Sequence, residues 1–237
     1  MNVLAIESSA VTASAAVSRD GVIVGEKFIN NGLTHSETLA PLAAQSLEAA
    51  GMVLFDMDAV AVTTGPGSFT GVRIGVALAK GLAMPNEIPC FGVSSIEAAA
   101  YPFRNSPGIV MAAMDARRQQ VYTAFFTAGD DAPKRLTEDA AIGLAEAEAF
   151  LREKAQPVTL CGDGARVAYD YFTKSGLAND LSVTLPEGDC VYQRASSVAL
   201  LTDYYLMKTE KTPVDAIFLR PKYLRLSQAE RELKNRK

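Results

Sequence analysis

Two stretches of this 237-residue chain are written in the same order, and that repetition limits the fold more than any single motif does. In the first stretch, apolar runs at 3–6 and 13–17, the turn Ser18-Arg19-Asp20-Gly21 and a third run at 22–28 read as a meander of two hairpins. The first run ends in an acid, Glu7. A helix follows over 34–50, with Thr34 and Glu37 spaced as a capping box and Gly51 as its stop. Pro41 falls inside it and predicts a kink or a later start. A buried strand at 58–64, the turn Gly65-Pro66-Gly67-Ser68-Phe69-Thr70-Gly71 and a helix to Ala83 complete the unit, and a strand at 90–93 and a short helix at 95–101 follow it. The pattern restarts at Ile109. Runs at 110–114 and 120–126 form a hairpin across Asp115-Ala116-Arg117-Arg118, so the first strand again ends in an acid. Then come a helix at 144–154, a strand at 158–161, the turn Gly162-Asp163-Gly164 and a helix at 165–174. Each copy needs helices to cover its sheet. The expected class is therefore α/β, with two similar domains of mixed sheet flanked by helices and a cleft between them. The domains are expected at 1–103 and 104–237, with a C-terminal helix as a candidate to pack back on the first.

The hydrophobic fraction of 49% can fill such cores, and the charged fraction of 21% fits a soluble globular chain. No apolar run reaches membrane-spanning length, and the start meets Glu7 without a basic segment before it, so no signal peptide is read and a cytoplasmic location is expected. Cys90, Cys161 and Cys190 are odd in number and widely spaced, which favours buried reduced thiols over a disulfide framework or a zinc site. Net charge is −4, yet residues 218–237 carry seven bases against Glu230 and Glu232. That tail could touch RNA phosphates, but a solvated C-terminal helix is the better reading.

The helix after the glycine turn is apolar nearly all round. Val72, Val76, Ala79 and Ala83 form one face and Gly71, Gly75, Leu78 and Leu82 the adjoining one, leaving a narrow strip of Arg73, Ala77 and Lys80. A mid-helix glycine costs about 1 kcal/mol relative to alanine. Gly75 thus marks a close backbone approach, from this chain or another. The turn itself, at a helix N-terminus, is suited to an anion through Gly65, Gly67, Ser68 and Thr70, but it lacks the lysine of a P-loop and also serves as a plain strand-to-helix turn. A serine hydrolase is disfavoured, because Ser68 has no G-x-S-x-G elbow and His35 no evident acid.

The duplicated plan resembles the actin, sugar-kinase and Hsp70 superfamily, of ribonuclease H-like fold. More closely, the motifs resemble the TsaB (YeaZ) family. Ile6-Glu7-Ser8-Ser9, His35-Ser36-Glu37 with Leu39 and Pro41, the run 65–75, Ala79-Lys80-Gly81-Leu82-Ala83, Gly92-Val93-Ser94-Ser95, Asp115-Ala116-Arg117-Arg118 and Tyr223-Leu224-Arg225 match in order. The resemblance implies a non-catalytic subunit for installing threonylcarbamoyl on the tRNA adenosine next to the anticodon. It implies pairing with the metal-bearing transferase TsaD and the ATPase TsaE, a homodimer when alone, tRNA met indirectly, and no membrane. No cofactor of its own is implied, though a nucleotide at the partner interface is. Glu7, Ser8, Ser9, Gly65, Gly67, Ser68, Thr70, Asp115 and Arg117 become nucleotide-loop candidates. His35, Glu37, Leu39, Leu42, Arg73, Val76, Lys80 and Leu82 become partner-interface candidates.

Two departures matter. Glu7 stands where the family usually has Asp. Where the transferase paralogue has a His-x-x-x-His metal grip, this chain has Ser95 and Ala99, so no metal and no catalytic residue are expected. Asp115-Ala116-Arg117-Arg118 also lacks a glycine for close phosphate approach, which leaves a stand-alone ATPase or kinase using Glu7, Ser8, Ser9 and Asp115 as the alternative.

Overall fold

The structure is a computed structural model that describes residues 1–32, 34–116 and 120–225. Expectations resting on Arg117, Arg118 and the bases beyond Arg225 lie outside the described residues. Strands β1 (Asn2–Glu7), β2 (Ala13–Arg19) and β3 (Val22–Ile29) form an antiparallel meander. Helix α1 (His35–Ala49) leads to β4 (Ala59–Gly65), which pairs parallel to β1. Helix α2 (Phe69–Ala83) then leads to β5 (Cys90–Ser94), parallel to β4. The sheet order is β3-β2-β1-β4-β5.

After the short α3 (Ser95–Ala100) the plan recurs: β6 (Ile109–Asp115), β7 (Gln120–Thr127), β8 (Lys134–Arg135), β9 (Ala140–Gly143), α4 (Leu144–Lys154), β10 (Val158–Cys161), α5 (Ala165–Lys174), α6 (Leu177–Asp180) and β11 (Val183–Thr184). Its order is β11-β10-β6-β7, with β8 and β9 both pairing with β7. In each sheet the first strand is central, flanked by its hairpin partner on one side and a later, parallel strand on the other. That is the duplicated actin-like fold.

Strand period explains the layers. Leu4, Ile6, Val60 and Val62 point to the face covered by α1 and α2, while Val3, Ala5, Ala59 and Ala61 point to the other, covered by α7 (Ala195–Lys208). Helix α7 follows the second sheet in sequence yet packs on β1 and β2 of the first. The sequence offers a C-terminal helix as a candidate to pack back on the first half but gives it no bounds. Ala195, Val198, Ala199, Leu201, Thr202 and Tyr205 are all buried, so no polar stripe marks its period. Helix α3 wedges between the sheets, with Ile96 and Ala99 against Val110, Ala112 and Met114 of β6.

Local expectations were corrected at three points. Thr34 sits at the N-cap of α1 but its side chain makes no cap bond, and the helix runs through Pro41 from His35 without a later start. Cys190 is exposed, so only Cys90 and Cys161 are buried thiols. Among the described residues no helix is long and apolar enough to cross a membrane.

Beyond α7 the chain forms a strap. Val214 bridges the outer edge of β5 at Cys90, a 3-10 turn covers Ala216–Phe218, and the Lys222 N–H donates to the Thr64 carbonyl at 2.7 Å. The Arg225 guanidinium then donates to the Ala116 carbonyl and the Gln120 side chain on the second hairpin. One short segment thus touches both halves.

Candidate functional site

The first strand ends in a loop whose polar atoms are already committed. Glu7 is fully buried, and its Oε1 accepts from both the N–H and the hydroxyl of Ser9, each at 2.6 Å. The Ser8 hydroxyl donates to the Gly71 carbonyl at 2.9 Å, and the Ser68 N–H donates to the Ser9 carbonyl at 2.7 Å. A Cβ on Gly67 would lie 2.2 Å from the Ser9 carbonyl oxygen, one on Gly71 2.1 Å from that of Ser8, and one on Gly75 2.3 Å from the Ser8 hydroxyl. Real Cβ atoms do not approach so closely. The glycine motif therefore clears space for this chain's own first loop, which answers whose backbone Gly75 admits. The second half repeats the device: the Gly164 N–H donates to the Ala113 carbonyl at 2.9 Å.

Ser68 and His35 are likewise placed by local needs. The Ser68 hydroxyl accepts from the Gly71 N–H at 3.1 Å, capping α2. The His35 Nε2–H donates to the Ala10 carbonyl at 2.9 Å, tying the start of α1 to the first loop. The two side chains thus make separate structural bonds.

Beside the sealed loop lies a cleft of about 540 Å³, bordered by Ser68, Thr70, Asp115, Tyr122 and Asp163 and walled on one side by the strap. Ser9 and Gly67 also border it, whereas Glu7, Ser8 and Gly65 do not. Burial pushes the Glu7 carboxyl up to about 7, with the charge of Asp163 adding and the Ser9 bonds opposing. Burial also raises Asp163 to about 6, against the donated bond from the Gln193 amide at 3.3 Å and helped by the charge of Asp115. Asp115 at the end of β6 and Asp163 just past β10 thus face one cleft, with buried Glu7 behind its wall. This repels a polyphosphate unless a cation accompanies it. Among the described residues no group of three His, Cys, Asp or Glu side chains is placed to hold a metal. Ser95 and Ala99 are buried on α3, without ligand chemistry. Asp163 was missed as a site residue, although its place in the repeated glycine turn was the available signal.

The partner-face expectations divide. Leu39, Leu42 and Val76 are 1%, 6% and 5% exposed and pack in the chain's own core, so their assignment to a partner surface is corrected. Leu82 is half-buried and packs against the same core. Arg73 is held by the strap, its Nε donating to the Tyr223 hydroxyl at 2.8 Å while its guanidinium lies over Phe69; the Lys80 ammonium donates to the Ile217 carbonyl. Glu37 is exposed and His35 half-buried. What α1 and α2 turn outward includes small apolar residues, Ala40, Pro41 and Ala44 among Glu37, Gln45 and Glu48 on one and Ala77 and Gly81 beside Arg73 on the other, with Ile74 and Leu78 half-buried. The large side chains drew the sequence reading to the wrong stripe.

Comparison with known proteins agrees with this architecture. The family described as TsaD, tRNA N6-adenosine threonylcarbamoyltransferase, matches residues 29–233. The tRNA threonylcarbamoyladenosine biosynthesis protein TsaB of Bacillus subtilis (strain 168) is 32% identical, across 97% of this chain and 96% of the relative. The protein of the same name from Escherichia coli (strain K12) is 30% identical, across 98% of each. The solved structure of YeaZ from Pseudomonas aeruginosa shares the fold, with a TM-score of 0.72 at 24% identity over 94% of this chain and 99% of that one. With both full-length relatives carrying that name and the glycine turn packed on the first loop, the chain belongs to the TsaB family of tRNA threonylcarbamoyladenosine biosynthesis proteins.

Proposed function

We propose that this chain is a non-catalytic subunit required for threonylcarbamoyl transfer to the tRNA adenosine next to the anticodon, acting by pairing with a TsaD-like transferase and with a TsaE-like ATPase. The observation that carries this reading is the mutual packing of its two would-be phosphate loops. A loop that cradles phosphate needs free N–H groups and glycine clearance. Here the Ser9 N–H is bonded to Glu7, the Ser68 N–H to Ser9, and the clearance at Gly71 and Gly75 is filled by Ser8. The open cleft suits at most a nucleotide completed from a partner's side.

The partner surface is the low outer face of α1 and α2, where Ala40, Ala44, Ala77 and Gly81 let another helix pair approach closely. The same face meets itself in a homodimer when the chain is alone. Ala44→Glu or Ala77→Glu is expected to abolish co-elution with the transferase paralogue on size exclusion while leaving the monomer folded. Val76→Glu is expected to unfold the chain, because it places a charge among Leu39, Val62 and Val72. A soluble, folded Val76→Glu that fails only in pairing would return Val76 to the interface.

The deciding experiment measures threonylcarbamoyl transfer to tRNA in a reconstituted system with and without this chain, beside ATP turnover by the chain alone. Transfer that depends on the chain, with no turnover in isolation, supports the subunit reading. Isolated turnover lost in Asp115→Ala would support a stand-alone ATPase instead.

A further inference from the structure

The described cations divide into those paired with a carboxylate and those without one; of the latter, Arg19, Lys27, Arg104, Lys134, Arg166 and Lys174 are elsewhere on the chain and six gather along the strap and the edge of α2 beneath it. Arg135, Arg152, Lys154, Arg194 and Lys208 each lie within 3.4 Å of a carboxylate. Arg73, Lys80, Lys211, Arg220, Lys222 and Arg225 have no carboxylate partner among the described residues. All but Lys222, which is fixed through its backbone N–H, are held by neutral acceptors and ring faces. Arg73 lies 3.8 Å over the Phe69 ring and Lys211 3.4 Å over that of Tyr205, while Lys80 and Arg220 donate to the Ile217 carbonyl. Such contacts fix a cation's position without neutralising it.

These side chains share one surface. A cleft of about 530 Å³ is bordered by Lys211, Phe218, Arg220 and Lys222, and Lys222 and Arg225 border the neighbouring 540 Å³ cleft. Lys211 and Lys222 stand close enough for each to repel the other's charge. Among the acids nearby, Arg135 pairs with Glu97 and Asp139, Asp215 accepts from the Ile217 N–H and Asp163 from the Gln193 amide; Glu138 is exposed in the second cleft, and Asp115 and Asp163 stand across the first. Two aromatic faces are interleaved, with Phe218 70% and Tyr223 43% exposed. On a chain of net charge −4, a strip of uncompensated cations with exposed rings is complementary to a polyanion that carries stackable bases.

We propose that the strap and the edge of α2 beneath it contact RNA directly, with Arg73, Lys80, Lys211, Arg220 and Lys222 meeting phosphates and Phe218 stacking on an unpaired base. This rests on the tRNA-modification reading for the identity of the polyanion, and it goes beyond it by giving this subunit an RNA contact of its own.

The test is fluorescence anisotropy of a labelled tRNA transcript with the full chain and no transferase, at two salt concentrations. The wild type is expected to bind with a Kd of about 10⁻⁴ to 10⁻⁶ M, more weakly at higher salt. Lys211→Glu with Lys222→Glu should weaken binding by about tenfold and flatten the salt dependence. Phe218→Ala should weaken it roughly fivefold or more. Lys27→Glu, on the exposed edge of β3, should change little, and thermal denaturation should show each variant folded; if the double reversal unfolds, the pair of Lys→Gln changes takes its place. No binding by the wild type, equal losses in Lys27→Glu, or loss on reversing Lys234 and Arg236 but not the strap lysines would overturn the proposal. Because no transferase is present, this assay can fail while co-elution through α1 and α2 succeeds, so the two readings fail separately.

Discussion

Gly71→Ala is expected to destabilise the chain by about 3 kcal/mol, the upper end of overpacking costs. The added Cβ would stand 2.1 Å from the carbonyl oxygen of fully buried Ser8, a backbone atom. Neither side can yield. Ser8 is tied to Gly71 through its hydroxyl, and α2 is anchored through Val72 and Val76 in the core between it and the first sheet. Gly81 on the same helix is the internal comparison, since nothing lies within 4 Å of its Cβ direction. Gly81→Ala should leave stability unchanged or raise it by up to about 1 kcal/mol through helix propensity. Urea denaturation of both variants at one pH checks the pair. A Gly71→Ala protein as stable as wild type would mean that the first loop and the glycine turn are not packed together in solution, and the main support for a non-catalytic role would go with it.

The contrast between Gly71 and Gly81 also shows where the sequence was readable. Local punctuation carried the secondary structure: helices at 144–154 and 165–174 and the strand at 158–161 were marked by glycines, prolines and regular apolar spacing, and they stand where those marks put them. The repeat carried the architecture, because both sheets place their first strand centrally. What spacing cannot show is direction. Helix α2 is apolar around most of its circumference, so the sequence offers the face of Val72 and Val76 and that of Leu78 and Leu82 as equal candidates for the core, and only the sheet beneath decides between them. Helix α7 fails for the same reason, with no polar stripe to give it a period. Nor could Glu7 be read. Its bonds to Ser9 are local, but the seal over them comes from α2, some sixty residues away.

Replacing Glu7 by Gln should stabilise the protein at alkaline pH and do little at acid pH. Burial raises the Glu7 carboxyl from 4.5 to about 7, so the folded state holds a proton that the unfolded chain has already released. Stability from this group is therefore greatest below the unfolded value and falls as pH rises from about 4.5 through about 7, by about 3 kcal/mol in all at roughly 1.4 kcal/mol per unit. Gln keeps an oxygen for the Ser9 N–H and hydroxyl. It also puts an amide where Oε2 has no partner, beside a Thr63 hydroxyl that is likewise buried without one. The expected result is a gain of about 3 kcal/mol at pH 8, shrinking toward nothing at pH 5, in urea denaturation at both values. Asp163 titrates in the same direction, so Asp163→Asn separates its share of the wild-type slope. Glu7→Ala should lose the Ser9 bonds and destabilise at both pH values, which keeps a packing effect distinct from a charge effect. If Glu7→Gln is stabilised at pH 8 and still supports reconstituted transfer, the carboxylate charge is dispensable and the residue serves to shape the first loop. If it is stabilised but inactive, the chain retains a costly buried acid because the assembly uses its charge.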